Sequence, residues 1–472
     1  MKVMFIVPPE IFSIESYASD RIIKTREPRP RLGILCVAGY LRDKIGIAPI
    51  IVDCAAEGID IKDIKGIIDK YNPDIIGMSV LTFNLLDCLE IAKTAKQANQ
   101  NIKICFGGFH PTIYPEETLS FECVDFIVIG EGEKPFAQLI DRLIKDKNCN
   151  DLKEISGIGW KNTTGKINLN APCEVTHDLD DFGLPAHDLI DLSKYSHALS
   201  NEPYTAYIQT SRGCPFKCNF CDMRMTNFRS RSEEMVIREI RLLVEKAVKE
   251  IFFLDDTITV NKKKLIALCQ RIIDKGFRIK YKISSRVNTV NEEMLVALKR
   301  SGCYRIHYGV ESGSQRILDG LQKGITIDQI KRAFEMTKRN GISTYAYLMV
   351  GAPTETREDF ESTVALVNTI QPDYITYSIC TPFPKTLLYN YLLEKGYYKS
   401  DYWLEFAKKP SPDFKLQYAN EYFSAMELKK MRDDAMAKFY GKGSFMFREL
   451  MQTRSIKQLV KKAKVGYRLL LK

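Results

Sequence analysis

The chain repeats one local pattern along most of its length: a short apolar run rich in β-branched residues, then a stretch with the periodicity of an amphipathic helix. Strands that are apolar without alternation are buried on both faces, and the helices between them cover those faces. The repeat therefore predicts an α/β protein built on parallel sheets. It restricts the chain to doubly wound sheets and (β/α) barrels.

The first 146 residues contain five strand–helix repeats. Strands are predicted at 3–7, 49–52, 74–80, 102–106 and 125–129, with helices near 32–45, 60–71, 84–99, 113–120 and 134–146. Small residues follow several of these strands. Ligands bind at such carboxyl ends in an open parallel sheet, although glycine pairs also form simple tight turns. We predict a doubly wound, Rossmann-like domain over 1–146.

A second series begins after a less regular segment, 147–198, which we interpret as a linker with a small hairpin near 162–165. Its strands are predicted at 206–210, 250–254, 280–284, 305–310, 344–350 and 374–379. Six strand–helix repeats predict a partial (β/α)6 barrel over 199–395, with reactive groups at the carboxyl ends of the strands. Residues 396–472 are predicted to be a helical C-terminal region.

Three cysteines, Cys214, Cys218 and Cys221, lie within eight positions directly after the first barrel strand. A structural zinc site uses four ligands, usually in two pairs, and no second pair or histidine lies nearby in the sequence. Three thiolates on one loop suit a cubane iron–sulfur cluster, which normally takes four cysteines, and leave one iron open for an external ligand. Core thiols or zinc ligands are the alternative.

With this loop the chain resembles the radical S-adenosylmethionine superfamily, whose Cys-x-x-x-Cys-x-x-Cys loop holds a [4Fe-4S] cluster. The resemblance extends over about residues 199–395. It implies that Cys214, Cys218 and Cys221 ligate the cluster and that the open iron binds S-adenosylmethionine. One electron then cleaves S-adenosylmethionine to a 5′-deoxyadenosyl radical.

The same resemblance implies which residues bind S-adenosylmethionine, namely one residue of the loop and others at the ends of later strands. They are Phe220 at the adenine; Asp255 and Asp256, in place of the family's Gly-Gly-Glu motif; Ser284, Arg286, Glu311 and Ser312 at the ribose and the methionyl carboxylate; and Gly351, in a turn that matches Gly-x-Pro-x-Glu-Thr. Helix caps and surface contacts are the alternative roles for these residues.

A parallel-sheet domain in front of such a barrel resembles the cobalamin-binding radical S-adenosylmethionine enzymes, including class B methyltransferases and magnesium-protoporphyrin cyclases. The loops that carry the resemblance supply the implied cobalamin-binding residues: Ser79, Leu81, Thr82, Gly107, Gly108, His110, Gly130, Glu131 and Gly132. The Asp-x-His-x-x-Gly motif of methionine-synthase-type domains is absent. Asp53-x-Ala55-x-x-Gly58 has its spacing without the histidine, so His110 is the only candidate lower ligand of cobalt in these loops. The alternative, which we favour, is that His110 is an ordinary histidine on a polar turn and that no protein side chain ligates the lower face of cobalt.

The charge of the chain is concentrated at its end. The formal net charge is +10, and residues 438–472 hold ten basic residues and one acid, Glu449. The rest of the chain is therefore nearly neutral, which argues against nucleic acid as a partner. Residues 455–472 have an apolar arc beside a basic arc, the pattern of a helix in an anionic membrane interface. A helix docked on the protein itself or on a partner protein is the alternative.

Cysteine usage indicates a reducing compartment. The apolar run at the start of the sequence is interrupted at Pro8-Pro9 too early for a signal peptide, and the 13 cysteines are an odd number. The ten cysteines outside the loop have no ligand-like spacing, which favours buried structural thiols. We expect a cytoplasmic protein, held at the inner membrane surface if the tail binds lipid.

These features favour a cobalamin-dependent radical S-adenosylmethionine enzyme that methylates an unactivated carbon on an apolar or lipid-like small molecule. An electron donor such as flavodoxin or ferredoxin is the expected partner. The alternatives are an oxidative cyclase or oxygen-independent oxidation with the same cofactors, and, outside the enzymes, a cobalamin-binding sensor. The intact cysteine loop argues against the sensor.

Overall fold

The computed structural model describes residues 1–14, 28–146, 152–162, 164–196, 200, 202–223 and 226–452. These residues form two compact units. The first comprises Met1–Ile14, Pro28–Tyr195 and Ser400–Lys415, and the second comprises Ser196–Lys399 and the chain from Leu416 onward.

The first unit is built on a seven-stranded sheet. Its strands are β1 (Val3–Val7), β2 (Ile50–Asp53), β3 (Ile75–Ser79), β4 (Lys103–Gly107), β5 (Phe126–Val128), β6 (Ile158–Lys161) and β7 (Ile167–Leu169), in the order β2-β1-β3-β4-β5-β6-β7. Alternate residues of β1 enter two different apolar cores, Met4 and Ile6 in one, Val3 and Phe5 in the other. Burial on both faces explains why β1 has no polar alternation.

Helices cover both faces of this sheet. They are α1 (Leu32–Ile45), α2 (Cys54–Glu57), α3 (Ile64–Tyr71), α4 (Leu85–Ala98), α5 (Phe109–Ile113), α6 (Pro115–Ser120) and α7 (Glu133–Lys145). Strands β1 to β5 are parallel, so that their carboxyl ends and the loops that follow them share one edge. The Rossmann-like sheet predicted for this part of the chain is confirmed.

The hairpin of the predicted linker belongs to this sheet. Strand β6 pairs antiparallel with β5 and with β7, and Trp160 and Ile158 are buried in the core of the first unit. The sequence did not predict that the hairpin joins the sheet, because β6 pairs with β5, a strand that lies about 30 residues earlier in the sequence. Residue 163, in the predicted turn, lies outside the described residues.

The second unit contains a six-stranded sheet in which all neighbours are parallel. Its strands are β8 (Ala206–Ile208), β11 (Glu250–Phe253), β12 (Lys280–Ser285), β13 (Cys303–Glu311), β14 (Ser343–Val350) and β15 (Tyr374–Ile379), paired in chain order. A separate ribbon pairs β9 (Ser211–Arg212) with β10 (Arg229–Ser230). The order is that of a partial (β/α)6 barrel, as predicted.

The helices of the second unit follow the strands in turn. They are α8 (Glu233–Glu245), α9 (Lys262–Asp274), α10 (Glu292–Arg300), α11 (Gln315–Gly320), α12 (Ile327–Arg339), α13 (Arg357–Ile370) and α14 (Leu387–Glu394). Capping boxes begin α12 and α13, with Thr326 and Gln329 at the first and Thr356 and Asp359 at the second. Such reciprocal bonds satisfy the first backbone N–H groups of a helix.

Three helices form the C-terminal region: α15 (Tyr402–Lys408), α16 (Ala425–Tyr440) and α17 (Gly443–Gln452). Helix α15 lies in the returning segment of the first unit, whereas α16 and α17 belong to the second. None of the helices in the described part of the chain is long and apolar enough to cross a bilayer. The predicted amphipathic tail, 455–472, lies outside the described residues.

Candidate active site

The cysteine loop leaves the first barrel strand through a tightly held turn. The ribbon β9–β10 closes the loop at its base. Gly213 has φ of 88°, and a Cβ at this position would lie 2.3 Å from the carbonyl oxygen of Asn227. The backbone N–H of Cys214 donates to Thr226 Oγ1 at 2.9 Å. The loop therefore requires glycine at 213, because any side chain would separate its two ends.

The three thiols of the loop are close enough to influence one another. Burial, followed by the charges of Asp222, Cys218 and Cys214, raises the pKa of Cys221 to about 12. Burial also raises the pKa of Cys214. No three His, Cys, Asp or Glu side chains in the described ranges converge on a single ion. Three thiols spread along one loop fit a multi-iron cluster better than one zinc ion, because cluster ligands bind different irons.

Asp255, predicted to bind S-adenosylmethionine, also holds the start of the loop. Its buried carboxylate accepts bonds from the backbone N–H of Thr210, at 3.1 Å, and from Thr210 Oγ1, at 2.8 Å, and also from the Ser211 hydroxyl. Burial raises the pKa of Asp255, and these donors oppose the shift. Asp255 thus positions the strand end that carries the cysteines.

Asp256, the next residue, is exposed and free of that network. Although the residue is exposed, protein atoms surround part of its carboxyl. This partial burial, together with the neighbouring Asp255 and Asp222, raises the pKa of Asp256 to about 6. Its carboxyl also accepts a bond from the backbone of Gly213, at the base of the loop. An ammonium group bound here would be attracted by this carboxylate and would lower its pKa.

Arg286 lies directly against the cysteine loop. Its Nη1 donates to Cys218 Sγ at 3.1 Å, and its guanidinium stacks over the Phe216 ring at 4.0 Å. Its Nη2 bonds to the backbone carbonyl of Lys323. A cation beside a cysteine sulfur stabilises the thiolate form. If that sulfur ligates a cluster, the cation also favours the reduced state of the cluster, which has one more negative charge.

A buried ion pair joins the end of β13 to the loop. Lys323 Nζ lies 2.6 Å from Glu311 Oε1 and 5.8 Å from the centre of the Phe220 ring. Glu311 has φ of 64°, an unfavourable backbone conformation for a residue with a side chain. A Cβ on Gly309 would lie 2.7 Å from both charged groups. The sequence did not indicate Lys323 or Gly309, since neither belongs to a motif.

Ser312 and Gly351 organise the turns after β13 and β14. Ser312 Oγ lies 3.3 Å from Thr363 Oγ1 and accepts a bond from the backbone N–H of Ser314 at 3.1 Å. Gly351, with φ of 82°, and Ala352 donate their backbone N–H groups to Glu355 Oε2. Burial raises the pKa of Glu355 to about 7.

Ser284 faces the interior of the barrel, on the wall formed by alternate residues of the strands. It is opposite His307, and His307 is opposite Tyr345 in the register of β12, β13 and β14. The His307 and Tyr345 rings stack at 4.6 Å, and Tyr347 Oη lies 2.8 Å from His307 Nδ1. Tyr347 is 37% exposed although it lies mid-strand, so the interior is open at this level. The sequence did not single out these rings.

In the first unit, one hydroxyl connects two of the predicted cobalamin loops. Thr112 Oγ1 donates to the carbonyl of Gly108 at 2.8 Å and accepts from the backbone N–H of Gly130 at 2.9 Å. Gly108 has φ of 95°, and a Cβ there would lie 2.9 Å from the Val80 carbonyl oxygen. The loops after β3, β4 and β5 are thus brought together at one edge of the sheet.

His110, the candidate ligand of cobalt, is buried beneath these loops. It is 0% exposed, its Nδ1 lies 3.1 Å from Thr82 Oγ1, and burial lowers its pKa to about 3. The lowered pKa keeps the ring neutral near pH 7, and the ring packs inside the domain. Ser79 and Leu81 are half-buried beside it.

The remaining predicted residues lie on the loop after β5. Glu131 and Gly132 are half-buried and Gly130 is exposed. A Cβ on Gly132 would lie 3.2 Å from Val37 Cγ2. Asp53, whose spacing imitates the methionine-synthase motif, caps α2 through the backbone N–H of Ala56.

Apolar side chains are exposed at the same edge of the first unit. Ile11 and Phe12 follow β1 and Phe109 follows β4, and all three are exposed. Asp87 fixes the loop after β1, because its buried carboxylate accepts the backbone N–H groups of Ile11 and Phe12 at 2.9 and 3.0 Å. Exposed apolar residues at a sheet edge are typical of a ligand surface.

Two family models match the chain. Residues 208–367 match the radical SAM superfamily, and residues 20–140 match the B12 binding domain. The two matches fall on the two strand–helix series that the sequence shows.

Similar proteins include enzymes with several reactions. An uncharacterized methyltransferase of Pyrococcus horikoshii is 34% identical over 96% of this chain and 95% of its own. An anaerobic magnesium-protoporphyrin IX monomethyl ester cyclase of Rubrivivax gelatinosus is 29% identical over 78% of this chain and 67% of its own. A hopanoid C-3 methylase of Methylococcus capsulatus is 26% identical over 68% of this chain and 61% of its own.

One solved structure has a similar fold. It is the radical S-adenosylmethionine methyltransferase TsrM from Kitasatospora setae, with cobalamin and a [4Fe-4S] cluster bound. The TM-score is 0.73 at 14% identity, and the alignment covers 99% of each chain.

Proposed function

The chain belongs to the cobalamin-dependent radical S-adenosylmethionine methyltransferase family, and from this premise we propose that it methylates an unactivated carbon on an apolar or lipid-like small molecule. The cofactors are a [4Fe-4S] cluster, S-adenosylmethionine and cobalamin. When bound, the cluster supplies the electron that cleaves S-adenosylmethionine, and cobalamin supplies the methyl group. The observation that carries the proposal is the thiol loop, held by Asp255 and Arg286 beside an open barrel interior.

We propose that Cys214, Cys218 and Cys221 ligate the cluster and that the charged groups around them orient S-adenosylmethionine. Asp256 is the acceptor suited to its amino group, because Asp255 is already occupied. Arg286 lies against Cys218, and its guanidinium suits a carboxylate. Phe220, Ser284, Glu311, Ser312 and Gly351 complete the proposed site; Phe220 contacts Lys323, the ion-pair partner of Glu311.

Cobalamin is proposed to lie on the loops at the carboxyl edge of the first sheet. Ser79, Leu81 and Thr82 follow β3, while Gly107, Gly108, Gly130, Glu131 and Gly132 follow β4 and β5. The exposed Ile11, Phe12 and Phe109 offer apolar contact to the corrin ring. We propose that His110 supports this surface through Thr82 and does not ligate cobalt, because it is completely buried.

The side chains on the wall of the barrel interior are an argument for an apolar substrate. Toward the carboxyl ends, the inward positions of β14 and β15 are Tyr347 opposite Thr376 and Met349 opposite Ser378. These side chains are uncharged, and the aromatic and thioether surfaces suit a hydrocarbon. The charged Lys282 lower on the wall is neutralised by Glu250 at 3.1 Å. The similarity to a hopanoid methylase points the same way.

Products of anaerobic turnover test the reaction type. A C-methyltransferase of this family consumes S-adenosylmethionine in two ways, so both 5′-deoxyadenosine and S-adenosylhomocysteine should accumulate with the methylated product. A cyclase or oxidase, the second candidate because of the similarity to the magnesium-protoporphyrin cyclase, forms 5′-deoxyadenosine without stoichiometric S-adenosylhomocysteine. That result would contradict methylation as the proposed reaction and favour cyclisation or oxidation. An electron donor such as flavodoxin or ferredoxin is proposed to supply the reducing equivalents.

We also propose that the basic tail, 455–472, attaches the enzyme to the inner surface of a membrane. Helix α17 leads into the tail, and Met446, Phe447 and Met451 on it are exposed. Deletion of 453–472 removes the tail but spares the bond between Tyr374 Oη and Glu449 and the ion pair between Arg448 and Asp373. Binding to anionic vesicles should be lost. Unchanged cosedimentation with such vesicles contradicts the membrane proposal.

A further inference from the structure

A cleft of about 910 Å³ opens at the amino ends of the barrel strands, within the second unit. Glu250, Ser343 and Tyr374, the first residues of β11, β14 and β15, line it. The cysteine loop follows the opposite, carboxyl end of the barrel. The eight residues of β14 span about 26 Å at 3.3 Å per residue, so the cleft is distinct from the proposed active site. Its volume is in the range of small-molecule sites.

Positive charge exceeds negative charge on the cleft wall. Five cations and three carboxylates line it: Lys280, Arg305, Lys338, Lys442 and Arg448 against Glu202, Glu250 and Asp373. Two of the carboxylates neutralise cations of the wall, since Lys280 lies 3.2 Å from Glu202 and Arg448 lies 3.1 Å from Asp373.

The negative charge of the third carboxylate, that of Glu250, is balanced by Lys282. Glu250 lies 3.1 Å from Lys282 Nζ and accepts further bonds from Ser200, at 2.6 Å, and from Thr205, at 3.1 Å. Among the described residues, Arg305, Lys338 and Lys442 have no carboxylate within ion-pair distance, although the charge of Asp373 acts on Arg305 and Lys338.

Arg305 is the most unusual of the three. Only 4% of it is exposed, and its Nη1 has no hydrogen-bond partner in the described part of the chain. The guanidinium is held over the Tyr374 ring at 4.1 Å, and its Nε donates to Ser343 Oγ at 3.4 Å. A buried charged donor without an acceptor is costly. An anion bound in the cleft would remove this cost.

Lys338 and Lys442 lie on the same wall, and among the described residues their ammonium groups donate to neutral oxygens only. Lys338 Nζ donates to the carbonyl of Ile370 at 2.8 Å, and Lys442 Nζ donates to Asn368 Oδ1 at 2.9 Å. Each ammonium group has three N–H donors, so donors remain for a ligand. Burial lowers the pKa of Lys338, although Asp373 opposes the shift. An anionic ligand would reverse this effect.

We propose that this cleft binds a soluble phosphorylated small molecule. Its phosphate group would contact Arg305, Lys338 and Lys442, since guanidinium and ammonium groups together match a multiply charged oxyanion. Its organic part would lie against Phe439 and Phe445, which line the same cleft. The site is independent of the methylation reaction, and a ligand there is a candidate regulator that acts from the opposite end of the barrel.

Inorganic pyrophosphate is the probe for this proposal. Its binding to the enzyme loaded with cluster and cobalamin, with S-adenosylmethionine saturating, is measured by titration calorimetry. Lys338→Met and Lys442→Met should each weaken binding about tenfold, because each removes one charged contact. The double variant should lose about 100-fold. Lys430→Met is the matched control, since Lys430 is exposed on α16 and does not line the cleft; it should bind as the wild type does.

A second titration tests the apolar part of the cleft. Phenyl phosphate should bind more tightly than inorganic phosphate to the wild type, and Phe445→Ala should reduce that difference. The proposal is overturned if pyrophosphate does not bind the wild type at millimolar concentration, or if the single lysine variants bind it as well as Lys430→Met does. The single variants retain one lysine each, so the comparison holds even if the double variant fails to fold.

Discussion

At the scale of single residues, the side chains around the cysteine loop divide into two groups. Asp255 uses both carboxylate oxygens to hold Thr210 and Ser211, and therefore acts on the loop. Asp256, Arg286 and the Glu311–Lys323 pair present charge where the loop lies. Asp255 and Asp256 are neighbours in the sequence and have different surroundings, because successive side chains of an extended segment point to opposite sides.

The cysteines of the loop should be required for the cluster. Cys214→Ala, Cys218→Ala and Cys221→Ala each remove a thiolate that no nearby described residue replaces, so the charge-transfer absorbance near ~400 nm that we expect of a thiolate-bound cluster should be lost. Anaerobic reconstitution followed by iron and sulfide analysis measures this. Cys123→Ala, in the core of the first unit, is the control. A full complement of iron in the loop variants would contradict the assignment.

Glu355 should make the stability of the second unit depend on pH. Burial raises its pKa from 4.5 to about 7, so the folded chain holds a proton that the unfolded chain releases. Stability should therefore fall as the pH rises from about 4.5 to 7, by up to about 3 kcal/mol. Glu355→Gln, which cannot ionise, should lack this fall. Urea unfolding at pH 5.5 and at pH 8 compares the two proteins, and identical pH profiles would refute the prediction.

At the scale of elements, strand β13 shows how backbone conformation and the space around the backbone restrict which residue fits at a position. The strand ends in the left-handed conformation at Glu311, which turns the carboxylate toward Lys323. Two residues earlier, the absence of a side chain at Gly309 leaves room for both charged groups. The strand itself was predicted from its apolar pattern, but this packing depends on a lysine that lies beyond the next helix.

Gly309→Ala should separate the Glu311–Lys323 pair. Its Cβ would lie 2.7 Å from Glu311 Oε1 and from Lys323 Nζ, so these two side-chain ends would have to move from their present positions. We expect binding of S-adenosylmethionine to weaken at least about tenfold, the loss typical of one charged contact. Equilibrium dialysis measures it. Gly320→Ala is the control, because no atom lies within 4 Å of a Cβ there. Equal affinities for the two variants would argue against a role for the pair.

Most helices and strands of the two sheets could be predicted from local pattern. The observed bounds of α1 and β15, Leu32–Ile45 and Tyr374–Ile379, coincide with the predicted ones. The short ribbon β9–β10 and the place of the hairpin β6–β7 were not predicted. Both depend on pairing between segments that are distant in the sequence, and periodicity within one segment contains no information on its partner.

At the scale of the whole molecule, the chain returns to its first unit after the barrel. Residues Ser400–Lys415 pack there, although the sequence placed them in a C-terminal region. Trp403, completely buried, lies edge-on to Phe83 at 5.8 Å and 5.2 Å from Phe414. The cobalamin unit is therefore not contiguous in the sequence.

Trp403→Ala should destabilise the first unit by about 3–5 kcal/mol, the usual cost of removing a large buried aromatic side chain. In chemical denaturation, the first unit of the variant should unfold at a lower denaturant concentration than that of the wild type, and cobalamin should be released in the same transition. Tyr422→Ala, at a residue that is 60% exposed, serves as the control and should leave the transition in place. If both variants unfold alike, the returning segment is not part of the cobalamin unit.

The sequence by itself determined the α/β class, the two strand–helix series, the cysteine loop and the family, because each depends on local periodicity or on spacing within one loop. Only the tertiary structure decided that the buried Asp255 carboxylate accepts bonds from Thr210, that His110 is buried, that Lys323 pairs with Glu311 beside the loop, and that a cationic cleft lies at the amino ends of the strands. Those properties arise from contacts between distant segments. A side chain's solvation and hydrogen-bond partners, which set its charge and its function, exist only once the segments pack.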